Sequence, residues 1–231
     1  MSAKRISLSA TIDAANAMAF WNRDISTRDR AAMAGAIAAT RGQVGAYANT
    51  FALSARERKQ GVRLFTGERV TNAAARHITG EEGCRALLLL GDRKTAAALK
   101  AASAALLECL RRSEEECRQM RMGGNPGCFC CGPCTASVWR HITAGGLDRH
   151  EERLTRGLAR LRQLRRGEGK WQYFPFWYTV SALVEMDIPA AAGELKYVEP
   201  SLTRAASRKS NGSDDAASRR SEIARRALTK L

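Results

Sequence analysis

The sequence predicts an all-α fold, and three features carry that expectation. Alanine is abundant, and runs of strand-favouring residues are scarce. Apolar residues recur at helical steps, as in Leu99, Leu106, Leu110 and Cys117, spaced by seven, four and seven. Ser, Thr, Asp and Gly punctuate the chain where helix caps would fall. The 231 residues, 45% of them hydrophobic, suffice for a core without staples.

Residues 1–25 read as an N-terminal segment with one short helix around Ile12–Trp21. Ser26-Thr27 caps a helix through about Thr40, which Gly42 stops. Helices are expected over Phe51–Leu64 and Gly67–Ile78. Thr79-Gly80-Glu81-Glu82 reads as a capping box ahead of Ala86–Leu90, with Glu82 reaching back to the Thr79 amide. Gly91 and Asp92 end that helix and cap a long one, Lys94 to about Met120. A Cys-rich loop, 123–134, leads into a short helix over Thr135–Ile142, broken by Gly145-Gly146. Asp148 is a good N-cap for a helix to about Arg166, with Leu147, Leu154, Leu158, Leu161 and Leu164 on one face. Pro175 suits the first turn of the next helix, whose buried face is Phe176, Val180, Leu183 and Val184. Asp187-Ile188-Pro189 ends it, and Ala190–Tyr197 is a last short helix. From Ser201 the composition turns polar and basic, giving a linker over about 201–217 and a solvated tail over 218–231 whose sequence also allows a helix. The α-helical domain is therefore 26–200, built as stacked helix hairpins. Arg76-His77-Ile78-Thr79-Gly80 recurs as Arg140-His141-Ile142-Thr143-Ala144, as two hairpin units of related design would require.

The chemistry concentrates in Cys128-Phe129-Cys130-Cys131-Gly132-Pro133-Cys134, which holds four of seven cysteines. Thiolates are soft ligands, and four suit tetrahedral Zn²⁺ or an iron–sulfur cluster. Cys131 and Cys134 have the spacing of two ligands to one ion, and Cys128 and Cys130 add two more. Adjacent Cys130 and Cys131 project apart, so one can miss; Cys117 or His141 then stands as a fourth ligand. The alternative is redox chemistry. Cys131-Gly132-Pro133-Cys134 is identical to the thioredoxin active-site tetrapeptide, and it opens a helix whose positive end favours a thiolate. The surroundings differ, since thioredoxin places a strand and a Trp before that tetrapeptide. Cys84, Cys109 and Cys117 read as core residues, and His77, His141 and His150 as surface or hydrogen-bonded histidines.

Gln163, Gly169 and Trp171 have the spacing of a QW repeat. With Phe174-Pro175-Phe176-Trp177-Tyr178 following, residues 147–187 resemble one repeat of the α/α-toroid superfamily of terpenoid cyclases and protein prenyltransferases. That resemblance implies a helical hairpin, possible in a partial toroid, with Gln163 and Trp171 tying one helix end to the next start. The Asp-rich acid motif of the cyclases and the prenyltransferase zinc set, an Asp and a Cys two apart with a distant His, are both absent. The resemblance therefore implies fold and no activity.

The chain carries a formal charge of +15 and a pI near 10.2. Such a surface attracts polyanions non-specifically, nucleic acid included, through its Arg-rich faces. No aromatic-plus-basic reading motif accompanies the charge, so a nucleic-acid-binding module stands as an alternative function. Arg149, Arg153, Arg156, Arg160 and Arg162 are expected mostly on the face away from the leucine stripe. No apolar run is long enough for a membrane span. No h-region follows the basic N-terminus, so a cytoplasmic protein with reduced thiols is expected. No substrate is legible.

Overall fold

The computed structural model describes residues 7–116, 127–207 and 215–231. The helices are α1 (Leu8–Phe20), α2 (Thr27–Ala38), α3 (Ala55–Gln60), α4 (Ala74–Leu90), α5 (Ala96–Glu116), α6 (Gly132–Thr143), α7 (His150–Gln163), α8 (Phe176–Glu185), α9 (Pro189–Ala206) and α10 (Ala216–Leu228). One small antiparallel hairpin, β1 (Val62–Arg63) and β2 (Arg69–Val70), precedes α4. The fold is all-α, as the periodicity required.

Alternate helices are neighbours. The row α1, α4, α6, α8 and α10 is continuous, and α2, α5, α7 and α9 pack behind it. The row also returns on itself: Arg219 of α10 grips the Asp13 carboxylate of α1, at 2.6 and 2.9 Å, and Arg226 donates to the Phe20 carbonyl. The interior holds a buried ionic network. Arg140 of α6, 1% exposed, donates to Glu82 of α4 at 2.8 Å and to Glu185 of α8 at 3.1 Å. Arg85 reaches Glu185 at 2.9 Å and also binds Asn16 of α1. Asn16 and the Tyr178 hydroxyl both donate to Glu82. The Phe65 ring, carried by the hairpin, lies under Arg140 and Arg219. Burial opposes ionisation of Glu185, but Arg140 and Arg85 outweigh it and hold the carboxyl below its ordinary range.

Several local expectations change. Of Phe51–Leu64 only α3 is helical; Gly61, at φ 75°, stops it, and Val62, Leu64 and Val70 are buried in the hairpin. Thr79-Gly80-Glu81-Glu82 is interior to α4, not a helix start. Thr79 donates to the Ala75 carbonyl, and Glu82 is taken up by the central network. Asp148 does not cap α7; it accepts from Arg111 and Arg153. Arg153 does not join a basic surface: it is fully buried, paired with Glu114 and Asp148. Arg156 and Arg162 are exposed. Cys117 and Met120, at the end of the predicted long helix, lie outside the described residues, as do Gly123–Pro126. The tail expected over 218–231 is α10, packed on α9 and α8 with Ile223, Ala224 and Ala227 fully buried.

At the turn after α7, Trp171 is buried and donates to Glu194 of α9 at 2.8 Å, and Arg165 pairs with the same carboxylate. Gly169 takes the left-handed φ of 66° that the turn needs. Gln163 stays exposed and accepts from Arg160, one turn back on its own helix. The tie across this turn is thus Trp171 to Glu194.

Two measurements test this packing. Trp171→Ala empties a buried aromatic site and orphans Glu194, and is expected to lower unfolding free energy by about 3–5 kcal/mol in urea titrations. The second concerns Glu57. Burial disfavours its charge, but hydrogen bonds from Ser54, Ser9 and Ser7 outweigh that and hold its carboxyl at about 2. A depressed carboxyl contributes stability above its unfolded pKa of about 4.3 and loses it as pH falls toward 2. Glu57→Gln should therefore melt lower than the parent at pH 7, with the gap closing between pH 4 and 2.

Candidate metal centre

The loop that precedes α6 is held by α6 itself. The Thr135 hydroxyl donates to the Phe129 carbonyl and accepts from the Phe129 amide, both at 3.0 Å. The Trp139 indole donates to the Gly127 carbonyl at 2.6 Å. Cys130 sits in the left-handed region at φ 50°, a strained place for a residue with a side chain. Cys131 is the N-cap of α6, extended at φ −150°, with Gly132 and Pro133 opening the helix. Gly132 has a packing reason of its own: a Cβ there would fall 2.1 Å from the Tyr173 carbonyl oxygen.

α4 and α6 run side by side in the same direction, since His77 meets Cys134 and, further along both helices, Glu81 meets His141. This pairing brings the first turns of both helices to one point. The ligand atoms of His77, Cys130 and Cys134 all lie within 4.8 Å of one another, and the Cys134 sulfur is 3.6 Å from His77 Nδ1. The Cys131 sulfur lies 3.1 Å from that of Cys134. Cys130, Cys131, Cys134 and His77 are near enough together to hold a metal ion. Cys134 is fully buried, whereas Cys130, Cys131 and His77 are half-buried.

Cys131 and Cys134 are electrostatically unequal. Hydrogen bonding from Cys130, then Cys134, holds Cys131 at about 3, against the burial that would raise it. The same sharing, with burial added, pushes Cys134 well above the thiol range. Burial lowers His77, leaving a neutral imidazole able to donate a lone pair. Three cysteine sulfurs and a neutral imidazole are a donor set for a soft or borderline cation.

The sequence grouped Cys128 with the other cysteines, but the fold does not bring it to them. Cys128 is 1% exposed, and burial raises it to about 12, in a setting shaped by Arg160 and Glu114. His141, two helical turns beyond Cys134, is occupied elsewhere: its Nδ1 lies 2.6 Å from Glu81, both side chains buried. His77 is the residue that sequence reasoning passed over. No local signal marks it: the five-residue echo pairs it with His141, but His77 stands in the first turn of α4 and His141 in the last turn of α6. Cys84 is a core thiol, fully buried.

Two members of the cluster face a cleft of about 560 Å³, which His77 and Cys130 line together with Tyr47 and Phe129. The Tyr47 ring lies 4.1 Å from that of His77, and Phe129 is 5.4 Å from the same imidazole. Burial, then a hydrogen bond with Cys109, raises the Tyr47 phenol above its ordinary value.

No family model, curated protein or solved structure matches the chain.

The inequality of the thiols has a direct readout. In chelator-treated protein at pH 5, iodoacetamide should alkylate Cys131 first, because only a thiolate reacts. The rate should be nearly flat from pH 5 to 8, with Cys84 and Cys128 unlabelled, as read by peptide mass spectrometry. A rate that climbs about tenfold per pH unit would contradict the hydrogen-bonded thiolate.

Proposed function

We propose that this chain is a zinc-binding protein whose ion is held by Cys130, Cys134 and His77, with Cys131 beside them. One observation carries the reading: two parallel helices and one strained loop deliver three donor atoms to a common point. The distances favour a single ion over an iron–sulfur cluster. Zn–S bonds of about 2.3 Å and Zn–N bonds of about 2.0 Å place tetrahedral donors about 3.5–3.8 Å apart. The Cys134–His77 separation of 3.6 Å falls in that interval. A cluster spreads its thiolates over several irons and takes sulfur from each side. The residues fit the ion chemically as well: cysteine sulfur and a neutral imidazole are soft to borderline donors, and the ligand thiols give up their protons as the ion binds. Cys131, at 3.1 Å from Cys134, is closer than two thiolates sharing one tetrahedral ion would sit. It is therefore read as a hydrogen-bonding neighbour of the ligands. Reduced ligand thiols also fit a reducing compartment such as the cytoplasm.

A second reading, thiol–disulfide exchange, has one observation in its favour. Cys131 is half-buried at a helix N-terminus and its sulfur is 3.1 Å from the fully buried Cys134, the placement of an attacking and a resolving thiol. The neighbour order of α1, α4, α6, α8 and α10 supports reading the fold as a partial α/α toroid.

Metal analysis separates the readings. Protein purified under reducing, anaerobic conditions should carry about one zinc per chain, with no iron or sulfide. Cys134→Ser and His77→Ala should each lose it, and Cys128→Ser should retain it. Metal-free protein that folds normally would leave the dithiol reading in place of this one.

A further inference from the structure

If the zinc reading holds, one sulfur of the cluster is left over. Cys131 is the N-cap of α6, where Ser, Thr, Asp or Asn would accept from a backbone amide, yet its side chain makes no such bond. Nor does it share the ion, since its sulfur is 3.1 Å from that of Cys134, closer than two ligands of one tetrahedral ion sit. Cys131 thus serves neither as a cap nor as a ligand. Its sulfur stands instead against a sulfur that holds the ion.

The turn between the two cysteines is rigid. The Pro133 ring fixes its own φ in the first turn of α6, and Gly132 is packed so closely that a Cβ would fall 2.1 Å from the Tyr173 carbonyl oxygen. A disulfide bond is about 2.05 Å long, so the sulfurs need to close by about 1 Å, a distance that side-chain rotation covers. The pair is also unequal in access. Cys134 is fully buried and Cys131 half-buried, so a small solute meets the Cys131 sulfur first. Cys84 and Cys128, both buried away from the cluster, are closed to the same solute.

We propose that Cys131 is a site of oxidation by hydroperoxides, and that its disulfide with Cys134 expels the zinc. The Cys131 sulfur attacks one peroxide oxygen. An S–O bond forms, the O–O bond breaks, and the thiol proton passes to the departing oxygen, which leaves as water or an alcohol. Cys131 is then a sulfenic acid, and the peroxide has taken two electrons. The Cys134 sulfur next attacks the Cys131 sulfur. An S–S bond forms, the S–O and Zn–S bonds break, and the hydroxide released takes a proton from solvent. Cys130 and His77 remain, two donors where zinc takes three or four from protein, and the ion departs. A dithiol reductant reverses the change, its own two thiols becoming a disulfide.

The test uses the zinc-loaded full chain in metal-free buffer, with hydrogen peroxide as oxidant and a chromogenic zinc indicator as readout. Peroxide should release about one zinc per chain as two thiols disappear, and peptide mass spectrometry should find Cys131 joined to Cys134. Dithiothreitol with added zinc should restore the bound ion. Cys131→Ser keeps a hydroxyl that can cap α6 and donate to Cys134. It should therefore hold zinc as the parent does and release it about tenfold or more slowly under peroxide. Cys128→Ser should release zinc at the parental rate. Zinc that stays bound under peroxide, release from Cys131→Ser at the parental rate, or a disulfide joining any other pair overturns this proposal and leaves the zinc reading standing. Loss of zinc from Cys131→Ser before peroxide is added also overturns it, because Cys131 would then be a ligand. A parent chain that binds no zinc overturns the zinc reading and this proposal together.

Discussion

Arg140 is the group on which the rest of the arrangement depends. A fully buried guanidinium is tolerable only when carboxylates meet it in good geometry. Here they come from two different helices, Glu82 on α4 and Glu185 on α8. Arg85 and Asn16 then bind those same carboxylates, and Tyr178 completes Glu82. Each acid is shared, so the network fixes the axial register of four helices at once. An apolar interior could let helices slide by part of a turn; this one cannot without unpairing a buried charge. The aromatic ring of Phe65, in contact with both Arg140 and Arg219, extends the same constraint to the hairpin and to α10.

The cysteine site inherits this register. Arg140 and Glu82 lie one to two turns along α6 and α4 from Cys134 and His77. Because those two helices are parallel, a pairing fixed at Glu82–Arg140 carries back to their first turns. His141 and Glu81 add a buried rung between the two. The loop bearing Cys130 is then set by Thr135 and Trp139 from the same helix. The donor atoms are thus positioned by rigid elements and a clamped loop, the condition for a site whose geometry does not depend on a bound ion.

What was legible in the sequence had local causes. The stripe through Leu106 and Leu110 repeats at the helical period, and both are buried in α5. Ser26 caps α2 and Gly91 closes α4 in the left-handed region, as their chemistry dictates. The cysteine density marked the right segment. What was illegible had causes distant in sequence. Glu82 looked like a cap because nothing local reveals a guanidinium 58 residues away. His77 is 57 residues from Cys134 and carries no motif. Cys128 shares the spacing of a ligand, but Gly127 and Cys130 bend the chain so that its thiol is buried apart from the others. α10 read as solvent-facing because its buried face is small, Ala224 and Ala227 beside a single Ile223, and because Arg219 hides its charge on Asp13.

The contact between Asp13 and Arg219 spans 206 positions of the chain. Its consequence is temporal. Neighbouring hairpins such as α4–α5 and α8–α9 bring together residues close in sequence and can form early, at small loop-closure entropy. The meeting of α1 with α10 closes a loop of most of the chain and carries a larger loop-closure entropy. Until it forms, the Phe20 and Phe65 rings that Arg226 and Arg219 cover lie at an open seam. During synthesis α1 leaves the ribosome long before its partner exists. A chain in which this seam is still open therefore leaves two aromatic rings available to other chains.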